Sequence, residues 1–252
     1  NGIDMDRVIH IPIEHIEQLK FDISKRLEEI NRGDKVIIFI DSVGNLASKK
    51  EVDDAKDEKV VADMSRAKVL KSLWRIVTPH LTLKDIPCIA VNHVYSTMEM
   101  YSKAVMSGGT GGMYSANQVF IIGKAQEKDG TEVVGYNFTI NIEKSRFVKE
   151  KSKFTFNVLY NGGINKWSGL LDLALESGAV MKPSNGWYCR VDEDGVVEDK
   201  KYRAADTDNK EFWKPILTSR KFHEFVSTKY AVTAAKLISD EELDAEIENL
   251  GE

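Results

Sequence analysis

Two cysteines in 252 residues, Cys88 and Cys189, are too few and too far apart for a disulfide framework or a metal-ligand spacing. They are expected as reduced thiols of a cytosolic protein. Neither has a histidine nearby in sequence, no catalytic triad fits, and there is no His-rich metal motif. No apolar run approaches the roughly 18 residues that span a bilayer. There is no signal peptide, and Asn1 is not a natural initiator. Base is also short: 35 Lys and Arg against 40 Asp and Glu leave a net charge of −5, which argues against nucleic-acid binding by the chain as a whole. The charge is uneven, however. Residues 239–252 hold seven acids and no base, whereas 144–153 hold five bases and one acid. Such local patches, not the total, decide electrostatic attraction.

Against these absences stands the stretch 36–42, Val-Ile-Ile-Phe-Ile-Asp-Ser. A continuous apolar run of this kind reads as a strand buried on both faces, as in a parallel sheet. It ends in Asp41 and Ser42, where α/β sheets place their ligands. In nucleotide-hydrolysing enzymes a carboxylate here holds Mg²⁺, directly or through water. The partner motif, the phosphate loop G-x-x-x-x-G-K-S/T, does not occur, and the glycine-rich segment 108–112 lacks its lysine. The residues therefore carry half of an ATP site.

Residues 7–12 read as a short strand and 15–31 as a helix stopped by Gly33. With the strand at 36–41 this makes a β-α-β unit and implies a parallel sheet with a right-handed crossover. The polar stretch 43–58 reads as a loop, Lys59–Thr78 as a helix ended by Pro79, and 86–92 as a second buried strand ending at Asn92 and His93. A long loop over 94–113 follows, rich in Met, Ser and Gly. Strands at 118–123, 133–143 and 153–160 have no long helices between them, so the sheet is expected to continue antiparallel. A helix at 167–177, a small hairpin of 187–191 with 195–197, and helices near 208–217 and 219–231 precede the acidic tail.

Three constellations carry chemistry. His93 ends the strand next to Asp41; it is either a hydrogen-bonded structural residue or a sensor of a nucleotide phosphate. The two loops should open on one side of the sheet. The first offers Lys49 and Lys50, and the helix after it Arg66, Lys68, Lys71 and Arg75; 68, 71 and 75 share one face, solvated or nucleic-acid-facing. Asp53, Asp54, Asp57 and Glu58 count against a simple basic groove. The second loop offers Tyr95, Met98, Met100, Tyr101, Lys103 and Met106, then Gly108-Gly109-Thr110. Glycines admit close approach to an anion, and apolar side chains can wedge between bases; the alternative is a disordered surface loop. Lys144 and Arg146 lie two apart at a strand end and should point the same way. Paired cations can neutralise a transferring phosphoryl group; otherwise they are a surface strand end.

The order of these features resembles that of the RecA-like strand-exchange recombinases, and within them the UvsX-type branch of phages. The segments that carry the resemblance are 35–51, 87–93, 108–116, 142–154, 160–176 and 185–188. Gly163-Ile164-Asn165, followed by a helix and then Asn185-Gly186-Trp187-Tyr188, is the most specific of them. The resemblance implies a mostly parallel twisted sheet flanked by helices, with an antiparallel extension and a small α+β C-terminal region. It implies an incomplete ATPase core over 1–165, a C-terminal region over 166–237 and an acidic tail over 238–252 that weakens DNA entry.

By position the resemblance makes Asp41, beside Ser42, the Mg²⁺-side carboxylate, and His93 the γ-phosphate sensor. It makes 49–60 and 94–113 the two DNA-binding loops. Lys68 and Arg75 become DNA contacts, Gly108 and Gly109 phosphate-backbone contacts, and Lys144 and Arg146 cations that reach ATP on the adjacent protomer. The cofactors implied are ATP and Mg²⁺. The partners implied are single- and double-stranded DNA, further copies in a helical filament, a recombination mediator and a single-strand-binding protein, all in the cytoplasm of an infected bacterium. The sequence departs from the family in starting after the phosphate loop, so this chain alone is expected to be inactive. The alternatives are a hexameric helicase-like motor of the same fold, separated from a recombinase by the GGTGGMYS and GGIN…NGWY segments, and a truncated DNA-binding or filament-capping protein.

Overall fold

His15 opens the first helix. Its Nδ1 accepts a hydrogen bond from Gln18 N at 3.1 Å, satisfying one of the amides a helix start leaves without a partner. The computed structural model describes residues 3–58, 65–97 and 104–232. These fall into two compact units, Asn1–Asn117 and Gln118–Glu252. Among the described residues no helix is long and apolar enough to cross a membrane.

In the first unit, α1 (Ile16–Glu29) buries Ile16, Leu19, Ile23 and Leu27 at helical spacing. Strand β1 (Ile38–Ile40) follows. A helical segment the sequence reading missed, α2 (Lys49–Lys56), stands where a loop was expected. Its signal was present: Ser48-x-x-Glu51 is a capping-box pattern, and Ser48 Oγ accepts from Glu51 N at 3.1 Å. Helix α3 runs Arg66–Lys84; the expected start at 59–65 is mostly outside the described residues. Pro79 does not end it. The missing N–H costs one hydrogen bond, but Leu70, Leu73 and Val77 anchor the preceding turns in the core. The helix ends instead at Asp85, which adopts a left-handed φ of 58°.

Strand β2 (Cys88–Ala90) pairs parallel with β1, Ile38 opposite Cys88 and Ile40 opposite Ala90. The β-α-β unit is therefore β1-α3-β2. Residues 8–13 form no strand, and Val8 and Ile9 are exposed. Nor are β1 and β2 buried on both faces. Ile40 packs among α1 and α3, whereas Ile37, Phe39 and Ile89 are 59%, 60% and 49% exposed. Both helices pack on the same core, and nothing described in this unit covers the other face. Cys88 is half-buried; desolvation pushes its thiol up to about 11, so it stays protonated at neutral pH. The expected loop at 94–113 holds a hairpin, β3 (Val94–Ser96) against β4 (Ala104–Met106), and a short helix α4 (Gly111–Ser115).

The second unit carries an antiparallel sheet in the order β5-β6-β7-β8: Gln118–Asp129, Glu132–Ser145, Lys153–Leu159 and Gly163–Ile164. The expected antiparallel run is there, with its first two strands longer. Parallel pairing of strands, by contrast, is confined to β1 and β2 among the described residues. Helix α5 (Leu170–Ser177) ends on Gly178 at φ 77°. Strands β9 (Val180–Ser184) and β10 (Trp187–Arg190) form the hairpin. Its turn is Asn185-Gly186, a strong two-residue hairpin signal. The expected partner, 195–197, contributes one bridge, Val191 to Val197. Helices α6 (Lys210–Thr218) and α7 (Arg220–Tyr230) close the unit. Its second core gathers Ala174, Val180, Tyr202, Phe212, Trp213, Ile216 and Phe222. Arg190 donates to both carboxylate oxygens of Glu198 at 2.7 Å and lies over the Tyr202 ring. That bond holds the Glu198 carboxyl below its ordinary value.

Candidate nucleotide and nucleic-acid site

The parallel ladder continues beyond the strands. Val91 N donates to Ile40 O and Val43 N to Val91 O, both at 2.9 Å. This extension puts Asp41-Ser42 and Asn92-His93 at the same, C-terminal, end of the pair. Asp41 is exposed, and Val43 is buried behind it, so the core holds the turn while the carboxylate faces solvent. The Asp41–Ser42 peptide is cis. A Cβ on Gly44 would lie 2.9 Å from His93 Cγ and Cδ2; only glycine lets the imidazole approach this turn so closely.

His93 is joined in turn to the segment after the hairpin. Asn92 Nδ2 donates to Ser107 O at 3.0 Å, and Asn92 Oδ1 accepts from His93 N at 2.8 Å. Ser107 N donates to His93 O at 2.8 Å. The glycines that follow lie along α3. Gly111 approaches Lys71 and Gly112 approaches Trp74. Gly108 and Gly109 have φ of 81° and 82°. Thr110 precedes α4 and makes no side-chain cap. The two glycines differ in what surrounds them. A Cβ on Gly108 would run into Leu70 Cδ1, whereas one on Gly109 would rest 3.5 Å from Ala67 Cβ. Gly109→Ala is expected to cost about 1–2 kcal/mol of backbone strain, and Gly108→Ala about 1–3 kcal/mol more for the clash. Urea unfolding of the two variants checks this; equal losses would mean that Leu70 yields freely.

Arg66, expected among the DNA-facing cations, turns inward. Nε donates to Leu46 O at 2.8 Å, Nη2 to Val43 O at 3.1 Å and Gly44 O at 2.8 Å, and Nη1 to Ser107 Oγ at 3.2 Å. The other cations of this region lie at the surface. Lys49 and Lys50 are exposed in the first turn of α2, and Lys68, Lys71 and Arg75 are exposed on α3. Tyr95 is 58% exposed on β3. Met98, Met100, Tyr101 and Lys103 lie outside the described residues, as does the acidic tail.

Lys144 and Arg146 belong to the second unit. Lys144 pairs with Val119, but the register slips at Glu143, since Phe120 pairs with Ile142. Such a bulge re-aims the neighbouring side chain. Arg146 falls beyond β6, in a turn where Ser145 Oγ accepts from Phe147 N and Val148 N at 3.1 Å. Strand alternation therefore does not extend to the pair. Lys149 N and Nζ stitch this turn to the end of α7 through Tyr230 O and Thr228 O. Gly44, Asn92 and Ser107 were not singled out as site residues from sequence. Asn92 had a signal in its place at a strand end; Gly44 and Ser107 had none.

Residues 167–226 match the family model described as the C-terminal domain of the bacteriophage T4 recombination and repair protein. The T4 recombination and repair protein is itself 54% identical over 99% of this chain, which spans 64% of that protein's length. RecA of Chlorobium limicola is 29% identical over 60% of the chain and 43% of its own length. RecA of Streptomyces coelicolor is 26% identical over 74% and 49%. By sequence the chain is similar to the T4 recombination and repair protein and, more distantly, to the RecA proteins.

Proposed function

We propose that the intact protein carrying this chain is an ATP-dependent homologous-recombination protein. It coats single-stranded DNA as a helical filament, pairs it with a homologous duplex and exchanges strands. The observation that carries this is the 54% identity to the T4 recombination and repair protein across 99% of the chain. The meeting of Asp41, His93 and the glycine turn at one strand end supports it. In this reading β1 and β2 are central strands of a larger, mostly parallel RecA-like sheet flanked by helices.

The donor set fits Mg²⁺. That ion takes one or two carboxylates and keeps water and phosphate oxygens as its other ligands. Asp41 and Ser42 offer hard oxygen donors, and among the described residues no group of three His, Cys, Asp or Glu forms a metal cage. Bound with ATP, Mg²⁺ neutralises charge on the phosphates. The chain's own part is to hold Asp41 on a ladder-locked turn and to link His93, through Asn92 and Ser107, to the segment that meets DNA. Lys49, Lys50, Lys68, Arg75, Tyr95, Gly108, Gly109 and Thr110 contact DNA; Met98, Tyr101 and Lys103 are assigned the same role by the resemblance alone. Lys144 and Arg146 act on ATP held by the adjacent protomer. A mediator and a single-strand-binding protein assist loading.

Electron microscopy of the full-length protein on single-stranded DNA with ATP and Mg²⁺ tests this. Continuous helical filaments are the expected result. Rings would make the protein a helicase-like motor, and nucleotide-independent binding without filaments would remove the ATPase role. The 252 residues alone are expected to show no ATP turnover.

A further inference from the structure

We infer that Arg66 is a positioning residue: its guanidinium clamps the turn after Asp41-Ser42 to the Ser107-Gly108 turn, so that nucleotide-side and DNA-side segments move as one body. This rests on the recombinase reading above and deepens it, by naming how one end of the site is read at the other.

The argument starts from what the guanidinium does with its donors. Three nitrogens reach four acceptors, the carbonyls of Val43, Gly44 and Leu46 and the hydroxyl of Ser107. The three carbonyls belong to one short turn, Val43–Asn45 and its cap Leu46. That turn begins directly after the Asp41-Ser42 strand end, and Gly44 within it lies against His93. The fourth acceptor begins the glycine segment, and a Cβ on Gly108 would stand 3.3 Å from Arg66 Nη1. One planar, rigid fork thus touches both segments at once. Arginine can do this because its donors are fixed in a plane with several directions of approach; a lysine ammonium is a single point that cannot span the two turns. Arg66 is half-buried at the start of α3, and α3 is held by Leu70, Leu73 and Val77 in the core. The clamp therefore has a rigid mount. A shift of the Val43–Leu46 turn must either carry Ser107 with it or break hydrogen bonds to a charged donor.

A phosphate-binding arginine and a clamp make opposite predictions for lysine. Lysine keeps the charge and serves a phosphate; it loses the fork and cannot serve the clamp. The measurement is the affinity of the full-length protein for a labelled single-stranded oligonucleotide, with and without a non-hydrolysable ATP analogue, at several salt concentrations. Wild type, Arg66→Lys and Arg66→Met are compared, each with its unfolding midpoint. For the clamp, the nucleotide-dependent gain in affinity falls at least tenfold in both variants, and the salt slope stays that of wild type. Three outcomes overturn it. A lysine variant that behaves as wild type does so. Equal loss with and without nucleotide in Arg66→Met, with its salt slope reduced by about one, makes Arg66 a phosphate contact instead. A lower midpoint with the gain intact makes the role purely structural. Absence of any gain in wild type sinks the recombinase reading itself, and this inference with it. Should the Arg66 variants fail to fold, Ser107→Ala removes the acceptor at 3.2 Å. Its gain is expected to fall about threefold, and an unchanged gain overturns the clamp.

Discussion

Alanine at Arg146 in the intact protein is expected to lower DNA-stimulated ATP turnover about 10³-fold, and alanine at Lys144 by a comparable factor. A cation aimed at the transferring phosphoryl group acts on charge that develops mostly in the transition state, and such residues contribute about 10³–10⁵ in rate. ATP affinity is expected to change less, because in the proposed reading these cations act mainly on charge that develops in the transition state. The local structure suits the role. The two residues stand at one end of the sheet, beside the bulge at Glu143 and in the Ser145 turn, which Lys149 ties to α7. If the cations act on a neighbour's ATP, two defective proteins can complement. Mixed Arg146→Ala and Asp41→Asn proteins would form some interfaces with an intact carboxylate on one side and an intact cation on the other. Turnover of the mixture above the sum of its parts is the expected result. Turnover equal to that sum, or an Arg146→Ala protein as active as wild type, would count against the assignment.

Phe212→Ala is expected to destabilise the second unit by about 3–5 kcal/mol. Phe212 is 1% exposed. Its ring meets Tyr202 at 4.9 Å and Trp213 at 5.1 Å, both edge-on, and Arg190 lies near its face. Truncation removes both aromatic contacts and leaves a cavity in the core that holds Ala174, Val180 and Ile216. For a domain of this size the loss corresponds to a fall of roughly 6–20 °C in midpoint. Tryptophan fluorescence reads it well, since Trp167, Trp187 and Trp213 lie in this unit and Trp74 alone in the other. A midpoint within about 2 °C of wild type would mean that the core repacks. The same variant also separates folding from function: DNA binding that survives with the second unit loosened would place the contacts in the first.

Much of this layout was legible. Apolar spacing located α1, which buries one face, and the order of segments also placed α5, α6 and α7 and the strands β5, β6 and β7. The apolar run ending in Asp41 and Ser42, and a second strand ending at Asn92 and His93, put these residues at the C-terminal ends of two strands, which the fold pairs as β1 and β2. Other signals were present and unread. Ser48-Lys49-Lys50-Glu51 caps α2 within what looked like a polar loop, and Asn185-Gly186 turns β9 into β10. Both are local chemistry and needed no tertiary information.

The remainder was not written locally. Pro79 stops an isolated helix, but in α3 one lost hydrogen bond is outweighed by a helix already anchored through Leu70, Leu73 and Val77. The run 36–40 reads as apolar on both sides, and nothing in it tells which side α1 and α3 cover. Arg66 stands in a row of basic residues with Lys68, Lys71 and Arg75, and no pattern along the helix distinguishes it from them. What separates it is a turn 20 residues earlier and a serine 41 residues later. The sequence alone determined most of the helices and strands and the carboxylate at the strand end, since these follow from periodicities of a few residues. Only the folded chain decided which cations stay in solvent and which one is spent inside, because a donor's partner is chosen by distance in space.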